Sequence, residues 1–127
     1  MPTRCGASQR AREEKHLVAW LSKRLDYKIH MPHLDDFGYQ LVGGRLLPSK
    51  QGAAAQFMYE DASGRRLTLY ATKTLKNEVT AFRFTKADGI SAFCWLDGPV
   101  AYALIGELER AKLLQITNVA YEALNRP

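Results

Sequence analysis

The sequence predicts an α+β domain with an N-terminal helix, an antiparallel meander sheet of about five to six strands, and a C-terminal helix. Three observations carry this. Apolar residues recur at helical spacing near both ends of the chain and at a period near two in between. The middle is punctuated by Ser63-Gly64, Asp88-Gly89 and Asp97-Gly98, dipeptides that supply the positive φ of tight turns. The length, 127 residues, is that of one domain. A chain of this size buries roughly two thirds of its unfolded surface and needs neither disulfide nor metal to hold a core.

Residues 1–8 are polar, carry Pro2 and Gly6, and read as a loose tail. A helix is predicted from about Ser8 to Leu25. Leu17, Leu21 and Leu25 recur every four residues, with Val18 and Trp20 beside them, so one face is apolar. Ser8 is a candidate N-cap. The first turns are so polar that residues 1–15 are assigned to a flexible tail and 16–127 to a single sensor or interaction domain. Asp26 to Gly38 holds Pro32, two histidines and two aspartates and reads as a loop. Six strand segments follow, Tyr39–Leu47, Ala54–Glu60, Arg65–Ala71, Val79–Thr85, Ile90–Leu96 and Val100–Ile105. Gly43-Gly44 interrupts the first and predicts a bulge or sharp bend. In the fifth, Phe93 and Trp95 alternate with Ala92, Cys94 and Leu96. Both sets are apolar, which predicts a central strand covered on both faces. Glu107 to Asn125 returns to helical period, with Leu113, Ile116, Ala120 and Leu124 as its stripe. Glu107 and Glu109 are placed in its first turn, where the helix dipole favours negative charge.

Composition narrows the function classes. The net charge is +5, but acids sit beside bases and no block of five Lys or Arg occurs, so a nucleic-acid surface is not expected. Cys5 and Cys94 form neither a disulfide framework nor a CxxC motif. No apolar run approaches the ~20 residues of a membrane helix. The opening residues lack the apolar stretch of a secretory signal.

No constellation predicts catalysis. His30, His33, Asp35 and Asp36 have metal-ligand chemistry, but a loop bent by Pro32 holds no ligand in place and His16 is distant. A stand-alone small-molecule or metal-binding domain using the His30–Asp36 loop is the alternative reading. Cys94 lies between Phe93 and Trp95, an environment for an inert core thiol. Ser49, Ser63 and Ser91 lack a nucleophile elbow. Glu60 and Asp61 with Arg65 and Arg66 read as a charge cluster at a hairpin. Gly43, Gly44 and Arg45 precede no helix, so they are not a phosphate loop. Phe57, Tyr59, Tyr70, Phe82, Phe84, Phe93, Trp95 and Tyr102 are mostly core rather than a base-stacking platform, because two helices need a surface to cover. Catalytic, metal and cofactor residues are therefore assigned as none.

Longer motifs carry a resemblance. They are His16–Ser22 (HLVAWLS), Gly38–Pro48 (GYQLVGGRLLP), Ala54–Asp61 (AAQFMYED), Arg65–Tyr70 (RRLTLY), Phe93–Leu104 (FCWLDGPVAYAL) and Gly106–Leu108 (GEL). In this order, across residues 16–125, the chain resembles the extracytoplasmic half of proteobacterial transmembrane anti-sigma factors, which restrain extracytoplasmic-function sigma factors. The resemblance implies a periplasmic sensory or interaction domain that binds a signal ligand or periplasmic protein. Contact with the membrane and the sigma factor would run through a membrane helix and a cytoplasmic segment absent from this sequence, as is the H-x-x-x-C-x-x-C pattern of many such segments. It implies no catalytic residue and no cofactor. A ligand or partner would bind an exposed sheet face or edge, and an exposed edge could support a homodimer. Redox signalling through Cys5 and Cys94 is a lesser expectation.

Overall fold

The computed structural model describes the backbone of residues 3–49 and 52–125, and side chains from Glu14 onward. It has the predicted α+β architecture. The elements are α1 (Thr3–Leu25), β1 (Gln40–Ser49), β2 (Gly52–Glu60), β3 (Arg66–Val79), β4 (Arg83–Ala87), β5 (Ile90–Gly106) and α2 (Arg110–Leu124), with one 3-10 turn at Asp35–Phe37. All strand pairs are antiparallel, in the order β1-β2-β3-β5-β4.

Helix α1 starts at Thr3 rather than Ser8, so residues 3–15 have helical backbone where a tail is expected. It stops at an aspartate in the left-handed region, Asp26, with φ 58. The Tyr27 N–H reaches back to the Ser22 carbonyl at 3.1 Å and the Asp26 N–H to that of Lys23. These paired bonds close the last turn and redirect the chain. The segment that follows is a loop with a buried underside. Ile29, Met31, Pro32 and Leu34 are buried, and the hydroxyl of the fully buried Tyr59 donates to the Pro32 carbonyl at 2.7 Å.

The sheet departs from the predicted strands at three points. Val79–Thr85 is not one strand, because Val79 ends β3, residues 80–82 are not strand and β4 is Arg83–Ala87. Arg65–Ala71 becomes a strand continuing to Val79. Ile90–Leu96 and Val100–Ile105 are not a hairpin but one strand, β5. Gly98 has the predicted positive φ, 67, yet Val79 still pairs with Asp97 and Glu78 with Gly98. The register shifts between Lys73 and Glu78. The shift sets residues 74–77 of β3 against Pro99 alone, so the extra residues of this bulge lie in β3, and left-handed Gly98 across from them bends β5 without closing a turn. The bulge also changes which side chains face the core. Before it, Phe93 and Trp95 are buried. After it, Val100, Tyr102 and Leu104 are. Helix α2 begins at Arg110, with Glu109 as N-cap, so Glu107 and Glu109 precede its first turn.

Both helices pack on one face of the sheet. Leu21 and Leu25 of α1 and Leu113, Ile116, Ala120 and Leu124 of α2 join Phe57, Tyr59, Leu67, Leu69 and Leu104 in one core. At its α2 end the rings lock together. Trp95 stacks on Tyr102 with centroids 5.3 Å apart, and Phe82 sits edge-on to Trp95 at 5.2 Å and to Tyr121 at 5.6 Å. Among the described residues, buried Thr117 and Ser91 have carbonyl partners, whereas the buried Trp95 Nε1 has none. Thr117 donates to Leu113 and Ser91 to Leu108.

Candidate functional site

Strand β1 ends the sheet and pairs only with β2 among the described residues. Helix α1 lies over it, and the seam is tight at one point. Leu17 sits on Gly44, where a Cβ would come within 2.8 Å of Leu17 Cδ2 and 3.2 Å of the Gln56 carbonyl oxygen. Only glycine lets the helix approach this closely. Beside the contact the helix and edge enclose an open groove of about 990 Å³. One wall is Glu14, His16, Leu17, Ala19 and Trp20 of α1. The other is Gln40 to Gly44 of β1.

The groove has a bulge in its strand wall. Leu41 pairs with Tyr59 and Gly43 with Met58, so Val42 is the extra residue and is 54% exposed. The predicted irregularity at Gly43-Gly44 is therefore present, one residue earlier. Trp20 is 44% exposed, with the Arg24 guanidinium 5.3 Å from its ring centre. That cation–π contact holds the indole at the mouth of the groove. The Glu14 carboxylate meets His33 Nε2 at 2.7 Å and ties the helix to the loop. The groove therefore offers apolar side chains and a strand edge. Among the described residues its lining holds no serine, threonine, cysteine or lysine.

The other singled-out residues are scattered. In the 26–38 loop, His33 turns to Glu14, while Met31, Pro32 and Leu34 enter the core. Among the described residues, no group of three His, Cys, Asp or Glu is placed to hold a metal ion. Cys94 lies on the uncovered face of β5, opposite Arg83. Burial pushes its thiol pKa up, against a smaller lowering by Arg83, so the thiolate is disfavoured. The Cys5 side chain lies outside the described residues. Ser49 contacts Thr72 at 3.3 Å. Arg45 is exposed on the edge strand. Phe57, Tyr59, Phe93, Trp95 and Tyr102 are buried and Phe82 and Phe84 partly so, whereas Tyr70 lies on the uncovered face, where Gln56 Nε2 donates to its hydroxyl at 2.9 Å.

The charge cluster at the β2–β3 hairpin is a turn device. Arg66 Nε donates to Glu60 at 2.9 Å across the strands. Asp61 Oδ1 accepts from the Ser63 hydroxyl and N–H and from the Arg65 N–H. The Ser63 hydroxyl bond first, then the Arg65 backbone bond, holds the Asp61 carboxyl below its ordinary 3.8. A folded pKa below the unfolded one stabilises the fold above the ordinary value, and that contribution is lost as pH falls through the lowered one. Asp61→Asn should therefore flatten the acid limb of stability against pH, measured as denaturant midpoints from neutral pH down through the carboxylate range.

Sequence reasoning misses the groove. Trp20 lies one position off the Leu17–Leu21–Leu25 stripe, and that offset is the signal that it would point outward. No protein-family model, no curated protein and no solved structure matches the chain. Among the described residues, no helix is long and apolar enough to cross a membrane.

Proposed function

We propose that this chain is the periplasmic sensory or interaction domain of a transmembrane anti-sigma regulator, and that it works by binding an extended peptide segment in the groove between α1 and β1. The observation that carries the binding reading is the groove itself, where a strand paired only with β2 among the described residues lies beside an exposed Trp20 and Val42. An extended segment laid there would gain main-chain hydrogen bonds from the edge and apolar contact from the indole. The regulator reading is supported by the ordered motifs between residues 16 and 125. In this reading the segment binds one arrangement of the domain better than another. Occupancy then shifts the equilibrium transmitted to a membrane helix and a sigma-binding segment.

The test is a sigma-dependent transcriptional reporter in cells whose chromosomal copy carries Trp20→Ala or Val42→Asp. Exposed aromatic anchors contribute about 2 kcal/mol or more, so Trp20→Ala should weaken the response roughly 30-fold in the concentration of inducing signal. Unchanged induction with both folded variants would sink the groove. The membrane attachment is checked separately by the codons upstream of Met1. An in-frame apolar stretch of about 20 residues after a polar segment is expected. A stop codon close to Met1 would overturn the regulator reading.

A further inference from the structure

We infer that the face of the sheet opposite the helices docks against the same face of a second copy of this chain. The register sets out that face. Leu47, Ala54, Thr72 and Ala101 lie in one row across β1, β2, β3 and β5. Arg45, Gln56, Tyr70 and Ala103 form the next, and Gly43, Met58, Thr68 and Ile105 the third. Beyond the Gly98 bulge, Ala92, Cys94 and Leu96 continue the same side of β5. The core residues all project from the other face, where both helices lie.

The composition of this face conflicts with its exposure. An antiparallel sheet with one solvated face alternates apolar inward and polar outward. Strand β5 does not. Its outward positions are Ala92, Cys94, Leu96, Ala101, Ala103 and Ile105. This is the pattern of a strand covered twice, yet the described residues cover it once. A second copy would supply the second cover.

Size, shape and charge favour a second copy. Four strands about 4.8 Å apart, with three same-face rows roughly 6.7 Å apart, span about 19 by 20 Å, and the β4–β5 end adds about half as much again. Two such faces stacked together remove roughly 1,100 Å² from water, which clears the ~1,000 Å² that a specific interface needs. Ala54, Ala101 and Ala103 leave the middle low, which suits sheets stacked about 10 Å apart. The chain carries a net +5, yet the three rows hold one charged side chain, Arg45 on edge strand β1, and the β4–β5 end adds one, Arg83 on edge strand β4, so the middle of the face is uncharged. The next row is the Arg66–Glu60 ion pair. An isologous dimer sets a patch against itself, so a patch whose middle is uncharged and whose charges sit on its two edge strands suits it. An acidic or basic partner would find no complementary field there.

The test is sedimentation velocity of the native chain from micromolar to millimolar concentration, with Ala103→Arg and Thr68→Arg beside it and circular dichroism to show that each is folded. The native protein should reach twice the 14.3 kDa monomer mass. Each variant sets two like charges in the interface and should weaken association by roughly 100-fold or more. If Ala103→Arg fails to fold, Thr68→Arg decides. If both fail, Thr68→Cys spin-labelled in a Cys5→Ser, Cys94→Ser background decides, with dipolar coupling between copies expected. A native monomer at every concentration overturns the inference, because another partner then covers the face. So does a dimer that survives the folded variants or shows no coupling at residue 68, since its contact lies elsewhere. Loss of the dimer on Val42→Pro, with both face variants still dimeric, would assign it to the β1 edge. The peptide groove does not enter this measurement, so either proposal can fail alone.

Discussion

Phe57→Ala should lower the stability of this domain by about 3–5 kcal/mol, the usual loss for a fully buried aromatic ring. Phe57 is 0% exposed in β2, paired with Gly44 on one side and Leu69 on the other. Its ring lies in the core shared by the sheet and both helices. The residues around it belong to strands held by their ladders, so the cavity left behind cannot collapse completely. At roughly 3–5 °C per kcal/mol for a chain of this size, the melting temperature should fall by about 9–25 °C. Urea unfolding should show a lower midpoint with the slope unchanged, because the folded architecture persists. Phe57→Leu keeps most of the volume and should lose much less. Equal losses for the two variants would mean that this part of the core is loosely packed.

Gly44→Val should cost about 2–3 kcal/mol through overpacking. A Cβ there meets Leu17 Cδ2 at 2.8 Å and the Gln56 backbone oxygen at 3.2 Å. Leu17 can rotate away, but the carbonyl belongs to the β1–β2 ladder and cannot. The helix should ride up on the edge strand and alter the groove. Leu17→Ala in the same chain removes the nearer clash, so the double variant should be less destabilised than the sum of the two single ones. Residues in contact couple in this way by about 0.5–3 kcal/mol. Strict additivity in a denaturant double-mutant cycle would show that Leu17 and Gly44 do not meet.

Two elements show how far local signals reach. The Gly98 dihedral is legible in the dipeptide Asp97-Gly98, but its consequence is not. A left-handed glycine serves a hairpin turn and a bulge alike, and the ladder contributed by Glu78 and Val79 selects the bulge. The other element is the α1–β1 groove. Its walls are twenty or more residues apart in sequence, and neither looks like a site alone. Trp20 reads as part of an apolar helix face and Val42 as part of a strand. Their shared exposure arises only where a helix crosses a bulged edge.

The sequence by itself determined the α+β class, both helices, the hairpin turns at Gly64 and Gly89, the core rings and the double apolar character of β5. These follow from periodicity and turn chemistry, which act over a few residues. Only the tertiary structure decided that two predicted strands are one, that the charged hairpin residues cap a turn, that His33 pairs with Glu14, and that one side of β5 has no cover among the described residues. Those outcomes depend on which distant segments come together, and contact across the fold leaves no periodic trace in a single strand or helix.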